Sequence, residues 1–249
     1  MAKETKKNEL MTEDYDFFDG HEGQGLETIG QGEQSVAYLS MIQPDSGIVD
    51  EKNPAGTWRN TATGRNFGTS IRVIVVAFKT VWNEREGEAP FRTIARYEPN
   101  SIPVEMKQPK AGKRGYPKMY NKESGNEIQE LYVYAVILPD YPEEGVLFFN
   151  PTVSSMRSCR SWNTMLKSQI LPNGKQAPIF GLSWRIYTSL IQNPQKQNGQ
   201  IAVLSKIEKD TLITREIFTE QVNPKLDSVN ESVLQIATTS EVNDDSNGD

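Results

Sequence analysis

The chain is punctuated by a few apolar, β-branched runs separated by turn-forming residues. The longest is "IRVIVVAFKTVW" at 71–82. Its length and branching predict a central, bent strand. "IQELYVYAVILPD" at 128–140 is a second strong strand, and "GVLFFNP" answers it across the turn "YPEEG". "FRTIARYE" alternates as a partner strand should, while "SIPVEMKQ" contains Pro103, which suits an edge. Regular structure is expected to begin near Ser35, with "SVAYLSMIQ" as a short strand bounded by Pro44 and Gly47. "DEKNPAGTWRNTATGRNFGTS" then reads as loop and hairpin turning at Thr63-Gly64.

One segment changes period. "TVSSMRSCRSWNTMLKSQI" places Val153, Met156, Cys159 or Arg160, Trp162 or Asn163, and Leu166 at helical intervals. Thr152 or Ser154 is the candidate cap, after Pro151. Alternation returns at Phe180, Leu182, Trp184 and Ile186, with Arg185 and Tyr187 on the opposite face. "NPQKQNG" is a polar hairpin loop, "QIAVLSKIE" a final strand, and "TLITREIFTEQV" a closing helix. The fold class is therefore mainly β with helical additions (α+β): an OB-like barrel with long loops and one prominent helix, although a jelly roll or other sandwich also fits. Residues 1–34 form an expected acidic flexible arm, 35–223 the OB-like β-barrel domain, and 224–249 a disordered acidic tail.

Charge sharpens this picture. The 249 residues carry a net charge of -6, unevenly spread. Residues 1–50 sum to -8, 51–122 to +8, 123–215 to +1 and 216–249 to -7. An electropositive middle between acidic ends points to nucleic-acid contact with acidic appendages. No apolar run approaches the roughly 18 residues of a membrane span, and the N-terminus lacks a signal-peptide core. Cys159 is the single cysteine, which rules out a disulfide within the chain and suits a cytoplasmic location.

Catalytic chemistry finds little footing. His21 is the only histidine, so His-based metal clusters and Ser-His-Asp triads within one chain are excluded. Gly23, Gly25, Gly30 and Gly32 follow no strand and precede no Lys-Ser/Thr, so they do not form a phosphate loop. Asp14, Asp16, Asp19 and Glu22 lack the spacing of a calcium loop. Glu127 and Glu130 belong to no metal motif. The expectation is a protein with no enzymatic activity and no cofactor.

Cations interleaved with aromatic rings are what single-stranded nucleic acid requires: charge follows the phosphates and rings stack on bases. Three stretches supply candidates. "TWRNTATGRNF" offers Trp58, Arg59, Arg65 and Phe67. The acid-free loop "PKAGKRGYPKMYNK" offers Lys110, Lys113, Arg114, Tyr116, Lys118, Tyr120 and Lys122. The helix adds Arg157 and Arg160, with Lys167 near the same face.

This plan, a basic aromatic groove on an OB-like core followed by an acidic tail, resembles bacteriophage single-stranded DNA-binding proteins. The resemblance implies a phage-encoded protein that protects single-stranded DNA in replication or recombination. It also implies a tail that competes for the groove and recruits replication or recombination proteins. The tail ends Asn247-Gly248-Asp249, without the terminal aromatic that many such tails carry. Self-association is compatible with the arms. The alternative is a phage structural or virion-associated β protein whose arms mediate assembly.

Overall fold

In chain order, β1 (Leu39–Met41), β2 (Trp58–Asn60) and β3 (Asn66–Gly68) form a small antiparallel sheet. The register sets Met41 opposite Trp58 and Ser40 opposite Arg59. Alternation thus turns Leu39, Met41 and Trp58 inward, all buried, and leaves Ser40 outward. The turn between β2 and β3 closes at Gly64, whose φ of 76° is the left-handed conformation that glycine adopts without strain. The computed structural model describes residues 36–86, 92–108, 117–194, 196, 198–226 and 229, which belong to a compact unit beginning at Val36.

The apolar run at 71–82 lies within β4 (Ser70–Glu86), which continues through the charged "ERE". It pairs with β5 (Arg92–Tyr97). β6 (Val104–Lys107) is an edge strand, as Pro103 suggested. β7 (Lys118–Asn121) joins β6 to β8 (Glu127–Ile137), and β9 (Val146–Phe149) extends from β8. β10 (Leu182–Gln192) and β11 (Gln200–Leu212) complete an antiparallel sheet ordered β11-β10-β4-β8-β7-β6, with β5 and β9 pairing beside that path.

The molecule is mostly β, built from antiparallel sheets with few helices. Among the described residues the strands do not close: the path runs open from β11 to β6. The expected OB-like barrel is thus replaced by a large open sheet covered on both faces. One face carries Val73, Val75, Tyr134 and Val136 against the small sheet and the helix α1 (Met156–Lys167). The other carries Ile74, Val133, Ala135 and Ile137 against Val222 and Val229 of the C-terminal segment. The central strands β4 and β8 are thus packed on both faces. This explains why β4 and β8 read as nearly continuous apolar runs.

The helix α1 follows a single turn of 3₁₀ helix, Val153–Ser155. Neither Thr152 nor Ser154 caps α1 through its side chain. Ser155 Oγ instead accepts from the Leu204 amide at 2.9 Å, and Ser158 Oγ donates to the Leu204 carbonyl at 2.9 Å. These bonds fix the start of the helix on β11. Trp162 stacks on Tyr134 at 4.8 Å between ring centroids and meets Trp184 edge-on at 6.2 Å.

The closing helix begins later than its sequence pattern predicts, because Thr211 and Leu212 belong to β11. Thr214 caps α2 (Arg215–Ile217) by accepting from the Ile217 amide at 3.2 Å. A π turn, Phe218–Val222, and a 3₁₀ turn, Asn223–Lys225, follow. The core continues past the expected boundary at 223, to Val229 at 2% exposure.

Candidate nucleic-acid interface

Two of the aromatic candidates belong to the core. Trp58 is 0% exposed and meets Phe149 edge-on at 5.3 Å. Phe67 is 8% exposed and packs on Tyr141 at 5.0 Å. Neither presents a face on which a base could stack. The strand register that turns Met41 inward turns Trp58 with it.

Their neighbouring cations are engaged. The Arg65 guanidinium pairs with Glu143 and Glu144 and lies 4.5 Å from the Tyr141 ring centroid. The hydrogen bonds it donates to both carboxylates raise its pKa, the one to Glu143 contributing most. Arg65 thus fastens the β2–β3 turn to the 3₁₀ turn Pro142–Glu144. Arg59 Nε donates to the Gly64 carbonyl at 3.3 Å, which leaves most of its fork uncommitted among the described residues.

In the basic stretch, Lys110, Lys113, Arg114 and Tyr116 lie outside the described residues. Lys118 and Tyr120 sit in β7, not in a loop. Lys118 pairs with Glu127. Tyr120 is half-buried, and Lys107 Nζ covers its ring at 4.4 Å from the centroid. Lys122 is exposed, with no ion pair among the described residues.

The hairpin bearing this stretch is held by Glu84, a carboxylate only 2% exposed on β4. It accepts from Tyr97 Oη at 2.8 Å, Asn121 Nδ2 at 3.0 Å, Asn126 Nδ2 at 2.7 Å and Ser124 Oγ. Burial alone would push its pKa up, but these hydrogen bonds outweigh burial and hold it below the usual carboxylate value. No sequence motif marks this node, because its donors come from β5, β7 and the turn before β8.

The helix carries the remaining candidate cations. Cys159, Trp162 and Leu166 face the core, and burial pushes the Cys159 thiol up to about 12. The outer face carries Arg157, Arg160, Ser161, Thr164, Lys167 and Ser168, all exposed. Arg157 and Lys167 have no ion pair among the described residues. Arg160 reaches back to Tyr132 Oη at 3.4 Å and Glu130 at 3.0 Å.

A further signal lies in what is missing from this part of the sequence. The 63 residues between Glu144 and Glu208 contain no Asp or Glu and hold seven cations. Arg157, Arg160, Lys167 and Lys175 fall within this span, so no carboxylate of α1 itself opposes its positive face. Scanning for carboxylates as well as cations would have singled out this helix over the Trp58 hairpin.

The arrangement is a mainly antiparallel β protein with one cationic helix laid over its core. The chain belongs to the Pam3 phage gp34-like protein family, whose model matches residues 5–221. It is thus a phage-type protein. Comparison with curated proteins and with solved structures found no match. Among the described residues no helix is long and apolar enough to cross a membrane.

Proposed function

We propose that the protein binds single-stranded DNA, without catalysing a reaction on it, during phage DNA replication or recombination. The observation that carries this reading is the outer face of α1. Arg157, Arg160 and Lys167 line it among Ser161, Thr164 and Ser168, within a carboxylate-free span of 63 residues. Cations of this kind bind by displacing counterions from phosphates. The sequence stretch holding Lys110, Lys113, Arg114 and Tyr116, outside the described residues, supplies further cations and a ring for stacking. The reading does not need a closed OB barrel, since an open sheet carrying a basic helix can follow a backbone equally well. The acidic C-terminal tail acts as a tethered competitor and a handle for replication or recombination proteins.

The test is fluorescence anisotropy with a labelled single-stranded oligonucleotide and its duplex at low and moderate salt. Binding that favours the single strand and weakens steeply with salt is the expected result. No binding to either at low salt would overturn the reading in favour of a virion-associated role.

A further inference from the structure

Among the described residues the path of the large sheet ends at β11 on one side and β6 on the other. The β11 edge is guarded. Gln43 takes up the outward amide and carbonyl of Ala202 with its side chain, and Ser155 and Ser158 take up those of Leu204. Register shifts also interrupt the β10–β11 pairing at Leu182/Trp184 and at Tyr187/Thr188. Irregularities of this kind keep a further strand from docking.

The β6 edge has no such guard. It pairs with β7 without a register shift. The Lys122 amide donates to the Pro103 carbonyl at 3.0 Å, so Pro103, Glu105 and Lys107 turn their backbone groups toward β7. Val104 and Met106 therefore turn theirs to the open edge, where no described residue bonds them. The missing N–H of Pro103 falls on the paired side and does not blunt that edge. Met106, at its centre, is 58% exposed. Lys107 is the kind of residue that keeps edges apart, but Glu105 pairs with it at 2.7 Å.

This edge is complementary to itself. A second copy laid antiparallel with Met106 on the two-fold axis sets Met106 opposite Met106, Val104 opposite Gln108 and Glu105 opposite Lys107. The two Met106 residues then exchange backbone N–H···O=C bonds across the axis. Glu105 and Lys107 fall at the closer, non-hydrogen-bonded positions, where opposite charges stabilise the pair. Symmetry makes that pair occur twice. Sliding the second copy by two residues either way sets Glu105 opposite Glu105 or Lys107 opposite Lys107, so charge selects the register centred on Met106.

We infer that β6 is a self-association edge, which joins two copies of this chain by antiparallel β6–β6 pairing centred on Met106. The inference goes beyond the single-stranded DNA reading and does not depend on it. A pairing this short is small beside a standard interface of about 1,600 Å², so the dimer is weak and forms at high concentration.

The experiment is sedimentation velocity on the full chain, without DNA, over a micromolar-to-millimolar concentration series, with thermal melts to verify folding. Wild type should pass from monomer to dimer. Met106→Pro removes an outward N–H and no bond to β7, so it should stay folded and remain monomeric over the same series. Glu105→Lys and Lys107→Glu each set like charges opposite one another twice per dimer, and each should weaken self-association by about tenfold. An equimolar mixture of these two variants restores opposite charges across the axis. It should associate as wild type does, which an effect confined to one chain would not produce. Wild type that stays monomeric throughout would overturn the inference. So would a dimer that survives Met106→Pro, which would lie on another surface, or a mixture that associates no better than its components.

Discussion

Glu84 on β4 accepts a hydrogen bond from Asn121 Nδ2 on β7 at 3.0 Å, although the two strands are not neighbours in the sheet. β8 lies between them, so the contact reaches across a strand. With Tyr97, Ser124 and Asn126 it ties the hairpin that carries the basic stretch to the longest strand of the molecule.

Glu84→Gln replaces an acceptor-only carboxylate with an amide that presents its own donor to these four. The expected loss is about 2 kcal/mol, the scale of hydrogen bonds to a charged group. The pH dependence follows from the lowered pKa of the folded state. The stabilisation is complete above the unfolded value, about 4.3, and fades as pH falls through the lower folded value. Melts from neutral pH down to about pH 3 should show an acid-induced loss in wild type that is smaller in Glu84→Gln. Equal acid sensitivity in both proteins would mean that Glu84 does not anchor the hairpin.

Trp58→Ala should destabilise the protein by about 3–5 kcal/mol, the usual result of removing a large aromatic from a packed core. The residue is 0% exposed. Under conditions where the variant remains folded, its affinity for single-stranded DNA should match wild type. Weakened DNA binding with an unchanged melting temperature would place the ring in the interface instead.

Arg65 separates structural cations from the proposed DNA-binding ones. It is neutralised by Glu143 and Glu144, so it has little charge to offer a phosphate. Arg65→Ala should lower the melting temperature and leave the slope of log affinity against log salt unchanged. A flatter slope would show that DNA displaces the two carboxylates.

The strands around the core were legible where burial on both faces writes an apolar run into the sequence, as in β4 and β8. β7 was hidden. Lys118 and Tyr120 continue a basic, proline- and glycine-containing stretch, and the strand exists because β6, β8 and the Glu84 node complete its bonding. These are non-local terms that no window of residues contains. The inward turn of Trp58 was hidden for a related reason: a hairpin sequence shows alternation without showing which side faces the core. Arg157 and Arg160 were legible as candidates from helical spacing.

The proposed competition between the acidic C-terminal tail and DNA is tested by truncation. Residues 231–249 contain five acids and no base. Truncation after Asn230 keeps Val229, which is buried in the core. A tethered anionic segment acts at an effective concentration on the order of millimolar. The truncated protein should bind single-stranded DNA more tightly at low salt, with the gain shrinking as salt rises and screens the tail. Equal affinities at low salt would remove the competition and leave the tail as a partner-binding segment.

The most direct test of single-strand binding through α1 is the salt dependence of affinity in the double variant Arg157→Ala, Lys167→Ala. Both side chains are exposed and neither is needed by the core, so the melting temperature should hold. Each phosphate contact on a single strand contributes about 0.7 to the slope of log affinity against log salt. Titrating a labelled single strand across a salt series should therefore give a slope shallower by about 1.4 than that of wild type. An unchanged slope, with wild type binding DNA, would contradict the assignment of this helix as the phosphate-contacting face.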